Sequence, residues 1–246
     1  MYLSRALLNP LSRAVRADLA DVEGLHRTLM RAFPDDAGPH PREAHGVLFR
    51  VDEDARRGRF VLLVQSAACP DFTRLPDGYF LDLRDDLGFA ESGGPENPAT
   101  REVGSERARI GAGDSFLFRL RANPTRRVDT KSGPDGKRRN GRRVELRDDA
   151  SRLDWLRRKA SASGFELHGP EDGTGASGTC VREERKLLGR RPDASGAPRV
   201  LTLAPVLFEG RLRVTDADRF RAALAAGIGP AKAYGFGLLS IAPARG

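Results

Sequence analysis

The apolar and polar positions of the first eighty residues follow two periods, one typical of strands and one typical of helices. Tyr2–Leu8 mixes alternating and consecutive apolar residues, which favours a strand. A helix is predicted from Asp21, its N-cap, to about Phe33, because apolar residues recur there at 3.6-residue spacing. Three later runs are rich in aliphatic and aromatic residues and predict strands, the first two joined as a hairpin: 46–52, 59–67 and 79–83.

The second half of the chain shows a similar order of elements. Ser115–Arg121 alternates cleanly and predicts a strand, and leucines at helical spacing predict a helix over 150–162. Asp216 is placed to cap another helix, which runs to about Ala226. The remaining apolar runs predict strands: 165–167, 181–188, 200–214 and 238–241.

These elements form two successive units, each of the order β-α-β-β-(α)-β. That order predicts an α+β protein with two tandem ferredoxin-like (RRM-like) βαββαβ domains, a plan shared by RNA-recognition modules. We expect an N-terminal domain over 1–84 and a C-terminal domain over 114–246. The segment 85–113 between them is rich in Gly, Pro, Glu and Ser, which predicts a long loop or linker.

Positive charge is concentrated in one window of the sequence. Arg119–Arg147 holds eleven Lys and Arg against three Asp and Glu, which accounts for the whole net charge of +8. Such a patch indicates a nucleic-acid partner, although a solvated charged loop has the same composition. The window has no aromatic residue for base stacking, which favours recognition of a duplex stem by its shape. The candidate phosphate contacts are Arg126, Arg127, Lys131, Lys137, Arg138, Arg139, Arg142 and Arg143.

Several other classes of protein are disfavoured. No apolar run approaches the roughly 20 residues that cross a bilayer, and the N-terminus lacks the pattern of a signal peptide, so we expect a cytoplasmic protein without a membrane partner. Cys69 and Cys180 have no CxxC partner, and His40 and His45 match neither HExxH nor a helical pair. We therefore expect neither a metal nor another cofactor.

His26 is the candidate for proton transfer. On the predicted helix it falls about 60° from the centre of the apolar face, where a ring rests on the core and still presents a nitrogen. A histidine at such a border more often has a structural role. Beside RNA its chemistry is specific, because RNA carries its own nucleophile, the 2′-hydroxyl, and an imidazole of pKa near 6.5 suits proton transfer at neutral pH. Such cleavage yields a 5′-hydroxyl and a 2′,3′-cyclic phosphate.

A glycine-rich segment near the C-terminus, 227–239, has the sequence GIGPAKAYGFGLL. It lacks GxxxxGK[ST], and Lys232 stands where GxGxxG requires glycine. It also follows a helix and precedes a strand, the reverse of a Rossmann turn, so it is not a nucleotide loop. Its glycines allow close approach to another backbone or to RNA, with Lys232 as a phosphate contact.

Five stretches, taken in order, carry a resemblance to a known family: MYLSRALLNP, DVEGLHRTLMRAFP, FRLRANPTR, VLFEGRLRV and GIGPAKAYGFGLLSIAP. Over almost its whole length, and least over 85–113, the chain resembles the CRISPR repeat-processing endoribonucleases of the type I-E Cascade system. The resemblance implies two ferredoxin-like domains, a CRISPR repeat RNA hairpin as substrate and cleavage at its 3′ base. It further implies that the product stays bound among other protein subunits of the Cascade surveillance complex.

The resemblance also assigns residues to the RNA site. The family's catalytic histidine corresponds to His26. Regions that grip the RNA stem correspond to Arg27, to the Arg-rich stretch after LRANP and to a second basic tip with Arg190 and Arg191.

One position departs from the family pattern. A tyrosine often stands three residues before the histidine, where this chain has Glu23. Its carboxylate would raise the imidazole pKa and favour the protonated acid form, or it would repel the substrate phosphate. Tyr2 and Tyr234 remain as alternative sources of a phenol.

The sequence therefore predicts a metal-independent endoribonuclease in which His26 is the general acid or base. A non-catalytic RNA-binding scaffold subunit of the same kind of ribonucleoprotein is the alternative, and a ribosome-associated structural protein is a more distant one. Cleavage of repeat RNA separates the first two hypotheses.

Overall fold

The computed structural model describes residues 1–35, 38–54, 56–83, 96–128, 142–169, 178–192 and 197–244. The helices in these ranges are α1 (Arg13–Ala20), α2 (Val22–Met30), α3 (Pro41–Ala44), α4 (Gly104–Ala108), α5 (Asp149–Ala162) and α6 (Ala217–Ala226), with 3₁₀ turns at Phe72–Arg74 and Lys232–Tyr234. The strands are β1 (Tyr2–Leu8), β2 (Leu48–Asp54), β3 (Arg59–Ser66), β4 (Ala99–Glu102), β5 (Ser115–Ala122), β6 (Thr125–Val128), β7 (Arg142–Glu145), β8 (Phe165–His168), β9 (Cys180–Glu183), β10 (Leu187–Pro192), β11 (Pro198–Leu203), β12 (Val206–Val214) and β13 (Leu239–Pro243).

The first sheet is antiparallel, in the order β2-β3-β1-β4. Its core joins Leu8, Phe49 and other strand residues to Leu25 and Leu29 of α2 and Val15 of α1. Each of these aliphatic side chains contributes roughly 1.5–3 kcal/mol by its burial. Helix α2 is therefore held against the sheet by its apolar face. Side chains outside that face remain available for a functional site.

The second sheet has the order β13-β5-β12-β8, and β9 pairs with the opposite end of β12. Helices α5 and α6 share a buried core with it, in which Trp155 of α5 stacks on Phe208 and Phe165 packs edge-on against Phe220 of α6. Two hairpins, β6–β7 and β10–β11, form separate two-stranded sheets.

Both sheets follow one plan. The strands of the first sheet lie in the spatial order second, third, first, fourth. The second sheet has the same order when β8 and β9 are counted together as its second strand, and helices follow the first strand of each sheet and, in the second unit, also the third. This is the split-βαβ arrangement. The predicted fold class, two tandem ferredoxin-like domains, is confirmed.

The edge strand of the first sheet is the main correction to the sequence analysis. Residues 79–83 were expected to form a strand, but they make only an isolated bridge between Leu8 and Phe80, and Tyr79 is buried with its hydroxyl donating to Asp18. The fourth strand is instead β4, Ala99–Glu102, inside the segment expected to be a loop or linker. All four residues of β4 are exposed, so no apolar alternation announces the strand.

Helix α2 was predicted closely. Asp21 is its N-cap, and the carboxylate accepts a hydrogen bond from the backbone N–H of Glu23 at 3.1 Å. The helix ends at Met30 and not at Phe33, although Phe33 is fully buried as expected. The preceding helix α1 was missed, because only two of its eight residues are buried and one of them is Asp18.

A buried polar joint connects the two sheets. The guanidinium of Arg50 on β2 is only 2% exposed and pairs with Asp52 at 2.7 Å. It also donates to the carbonyls of Arg119 on β5 and Leu238 just before β13, at 3.3 Å each. Gln65 of β3 donates to the carbonyl of Leu224 at 2.7 Å. These bonds connect the first sheet to β5, to the residue before β13 and to α6.

Candidate active site

His26 lies in the second turn of α2 and is half-buried, as its place at the border of the apolar face predicts. Its ring meets the ring of Tyr234 edge-on, with 6.4 Å between the centroids and 74° between the planes. The Nδ1 atom is buried and has no hydrogen-bond partner among the described residues. Nε2 is therefore the nitrogen that is available to a substrate.

Burial decides the charge state of this imidazole. It lowers the pKa of His26, the Glu23 carboxylate raises that pKa, and Arg42 lowers it again. The net direction is downward, so the ring is neutral near pH 7. Glu23 raises the pKa as expected, but desolvation outweighs the carboxylate and sets the net direction.

Tyr234 is the phenol that the fold brings to His26. It ends the 3₁₀ turn Lys232–Tyr234, and its hydroxyl interacts with the Glu23 carboxylate and the Arg191 guanidinium. Burial and Glu23 raise the pKa of Tyr234, so the phenol keeps its proton. Tyr2, the other phenol considered, lies on β1 opposite Ser66 and Glu102.

The β10–β11 hairpin closes the N-terminal end of α2. The backbone N–H of Arg190 donates to the Asp21 carboxylate at 3.1 Å, so one side chain caps the helix and holds the hairpin. Gly189 makes this approach possible, because a Cβ there would lie 3.0 Å from Cγ2 of Val22. Arg190 and Arg191 are both exposed at this junction.

Several cationic side chains interact electrostatically with His26 or with one another. Arg42 acts electrostatically on both His26 and Lys232, and Lys232 has a lowered pKa through burial and through Arg42 and Lys159. Lys232, Lys159 and Arg143 line one cavity of about 370 Å³. Lys232 and Arg143 were predicted from the sequence. Arg42 and Lys159 were missed, since only tertiary packing places them here.

The glycine-rich segment builds the wall of this cavity. The N–H of Ile228 donates to the carbonyl of Gly237 at 2.9 Å, and Gly237 has φ of 85°. A Cβ on Gly237 would lie 2.9 Å from the carbonyl oxygen of Ile228. The expected close approach of two backbones is confirmed, and contact with RNA stays a prediction.

The predicted arginine patch is only partly described. Arg126 and Arg127 of β6 are exposed, and Arg127 stands directly opposite Arg143 of β7. Arg126 lines a separate cavity of about 610 Å³ with Arg147 and Arg158. Arg27 is exposed on α2. The remaining members, Lys131, Lys137, Arg138, Arg139 and the side chain of Arg142, lie outside the described residues.

Two arginines of the basic window serve the fold. Arg119 pairs with Glu209 at 2.6 Å and with Asp52 at 3.6 Å, and Arg121 pairs with Glu184 at 2.6 Å. Their charges are compensated by carboxylates, so the window offers less free charge to RNA than its composition indicates.

The other histidines have separate environments. His45 stacks on Phe33 with 5.7 Å between centroids, His40 precedes α3, and Nδ1 of His168 lies 3.1 Å from the carbonyl of Gly169. Within the described ranges, no three His, Cys, Asp or Glu side chains are grouped so that they could hold a metal ion. No helix in the same ranges is long and apolar enough to cross a bilayer.

The whole chain is similar to proteins of one family. The family described as CRISPR associated protein matches residues 1–243. The CRISPR-associated endoribonuclease Cse3 of Thermus thermophilus is 35% identical over 243 residues, which cover 99% of this chain and 100% of the relative. The CRISPR system Cascade subunit CasE of Escherichia coli is 29% identical over 247 residues, with 99% and 100% covered.

A solved structure of CRISPR endoribonuclease Cse3 bound to a 19-nucleotide RNA matches the fold with a TM-score of 0.71 and 34% identity. The match covers 99% of this chain and 100% of that one, so it spans both sheets and the segment around His26. The chain belongs to the CRISPR-associated endoribonucleases of the type I-E system.

Proposed function

We propose that this protein binds the stem-loop of CRISPR repeat RNA and cleaves the precursor transcript at the 3′ base of the hairpin, with His26 as the catalytic residue. The observation that carries the proposal is a half-buried imidazole with one nitrogen left for substrate, within the electrostatic range of Arg42, which also acts on Lys232. The names of the relatives, an endoribonuclease and a Cascade subunit, support the same activity.

The reaction uses the nucleophile of the RNA. Nε2 of neutral His26 accepts the proton of the 2′-hydroxyl as the 2′-oxygen attacks the adjacent phosphorus. The P–O2′ bond forms, the P–O5′ bond breaks, and the leaving 5′-oxygen takes a proton from the imidazolium or from water. The products are a 2′,3′-cyclic phosphate and a 5′-hydroxyl. No metal ion takes part in this scheme, in which positioned proton transfer contributes roughly 10²–10⁴-fold.

Cations near His26 supply the electrostatic part of catalysis. We propose that Arg42, which acts on His26, and Lys232 stabilise the charge that builds on the non-bridging phosphate oxygens. Lys232 is partly desolvated, which strengthens its interaction with an anion.

We propose that exposed arginines of both units hold the stem of the RNA hairpin. Arg27, Arg126, Arg127, Arg143, Arg190 and Arg191 are exposed and can contact phosphates along a stem. Binding that rests on such contacts weakens steeply with salt, through release of counterions. We infer that the cleaved RNA remains bound to the protein among the subunits of a Cascade complex, in the cytoplasm where precursor transcripts are available.

The proposal is tested by incubating the purified protein with repeat RNA in EDTA and analysing the ends of the products. We expect a cyclic phosphate and a 5′-hydroxyl, and no cleavage of RNA with a 2′-deoxy nucleotide at the scissile position. Cleavage of the deoxy substrate, or a requirement for added metal, would overturn the mechanism.

Substitution of His26 separates catalysis from binding. His26→Ala should abolish cleavage while the affinity for the hairpin changes little. His168→Ala is the matched control and should leave both unchanged, because His168 lies at the end of β8. Equal loss of cleavage and affinity in His26→Ala would show that His26 is structural. Binding without cleavage by the unmodified protein would support the scaffold hypothesis.

A further inference from the structure

Two buried polar atoms of the site lack partners in the described structure: Oε2 of Glu23 and Nδ1 of His26. The two residues are three positions apart on α2, so their side chains lie on one face of the helix, one turn from each other. Burying a polar atom without a partner is costly, and such a pair in one place calls for an explanation.

The chemistry of the two atoms is complementary. A neutral imidazole that accepts a proton at Nε2 must carry its own hydrogen on Nδ1, which makes Nδ1 a donor. An ionised carboxylate oxygen only accepts hydrogen bonds. Proton transfer to Nε2 therefore requires the tautomer that carries its hydrogen on Nδ1. That hydrogen needs an acceptor, and Oε2 of Glu23 is an acceptor without a partner in the described structure.

The second unit of the protein brings a phenol to this carboxylate. Glu23 interacts with the hydroxyl of Tyr234 and raises its pKa, and Arg191 acts on the same hydroxyl in the opposite direction. The ring of Tyr234 also meets the ring of His26 edge-on. Arg191 belongs to the β10–β11 hairpin. The backbone N–H of Arg190 in that hairpin donates to the carboxylate of Asp21, the N-cap of α2.

We propose that Glu23, anchored by Tyr234, is a positioning residue that accepts a hydrogen bond from Nδ1–H of His26 in the RNA complex and so presents Nε2 to the 2′-hydroxyl. Tyr234 is then a second positioning residue, which acts through Glu23. The arrangement follows the logic of a catalytic triad, in which an acidic side chain holds the tautomer and orientation of a histidine base. This inference rests on the proposed function, because it takes His26 as the base.

The first test is independent of activity. Nitrogen NMR on histidine-labelled protein, bound to a hairpin with a 2′-deoxy nucleotide at the scissile position, reports which ring nitrogen carries the hydrogen. We expect His26 as the Nδ1–H tautomer, with the signal of that hydrogen lost in Glu23→Ala. An Nε2–H tautomer in the wild-type complex would overturn the inference, even if cleavage by His26 were established.

The second test is the pH dependence of single-turnover cleavage. The charged groups that act on His26 are Glu23 on its own helix and Arg42 on α3, and the ring of Tyr234 packs against it. Lys232 interacts with Arg42, and Arg191 interacts with Tyr234. Glu23→Gln removes the group that raises the pKa of His26, so the acidic limb of the pH–rate profile should move to lower pH. Tyr234→Phe leaves the ring but frees the carboxylate, so the limb should move to higher pH.

Both variants should also cleave more slowly, by roughly 10–100-fold for Glu23→Gln, a part of the ~10²–10⁴-fold that positioned proton transfer supplies. Hairpin affinity and thermal melting report folding, and Tyr2→Phe is the matched control with no expected change. Slower cleavage with an unmoved limb in both variants would indicate a structural role and refute the proposal. If these two variants and His26→Ala all still cleave at the wild-type rate, the proposed function is refuted instead.

Discussion

Replacement of Arg50 by methionine tests whether the buried joint between the sheets holds the protein together. Methionine fills much of the arginine volume but removes the ion pair with Asp52 and the two bonds to the carbonyls of Arg119 and Leu238. Removing one partner of a buried pair typically costs about 3–5 kcal/mol. The lower end, about 3 kcal/mol, applies here because Arg119 remains 3.6 Å from Asp52 as a second partner.

The loss should be visible in thermal unfolding. At about 2–4 °C per kcal/mol for a chain of this size, Arg50→Met should lower Tm by about 6–12 °C. Calorimetry measures the change and shows whether one transition splits into two as the sheets separate. Arg57→Met is the matched control, because Arg57 pairs with Asp54 on the same hairpin but is 74% exposed, and such pairs contribute about 0–1 kcal/mol.

A double variant isolates the buried charge. In Arg50→Met the Asp52 carboxylate keeps only Arg119, so adding Asp52→Asn should recover about 1 kcal/mol. The reasoning is refuted if Arg50→Met melts within about 2 °C of Arg57→Met, because the joint would then contribute no more than an exposed pair.

Three further predictions concern individual sites. His26 has a lowered pKa in the folded protein, so the unfolded state binds more protons and stability falls as pH drops below about 6.5; Tm measured from pH 8 to 5 should fall more steeply for wild type than for His26→Asn, and parallel curves would contradict this. Gly227→Val should destabilise by roughly 1–3 kcal/mol in urea unfolding, since a Cβ at φ 76° would lie 2.8 Å from a Leu48 methyl group, and unchanged stability would show that the contact relaxes freely. Replacing Arg126 and Arg127 by glutamine should weaken hairpin binding and reduce the salt slope by about 2, whereas an unchanged slope would show that both face solvent in the complex.

The sequence predicts those elements whose own residues carry the pattern. Asp21 and the apolar spacing after it are enough to place α2, and the order of elements is enough for the fold class. Strand β4 has four exposed residues, so its place in the sheet depends on pairing with β1, which no local pattern encodes. The same limit applies to Arg42, whose neighbours in the chain say nothing about its effect on His26.

The net pKa direction of His26 shows a second kind of limit. Glu23 lies one helical turn from His26, and this spacing alone predicts that its carboxylate raises the pKa of His26, as it does. The opposing desolvation comes from residues packed around α2, including Tyr234 from the far end of the chain. A charge three residues away is visible in a sequence, but the water excluded from a site is a property of the whole fold.

The site is composite, and this links cleavage to the packing of the two units. The first unit supplies His26 and Glu23 on α2, and the glycine-rich segment of the second supplies Tyr234 and Lys232. Gly227 and Gly237 bring the two ends of that segment together, because larger residues would collide with Leu48 or with the backbone of Ile228. A substitution that loosens the joint between the sheets should therefore reduce cleavage even where it replaces no residue of the site.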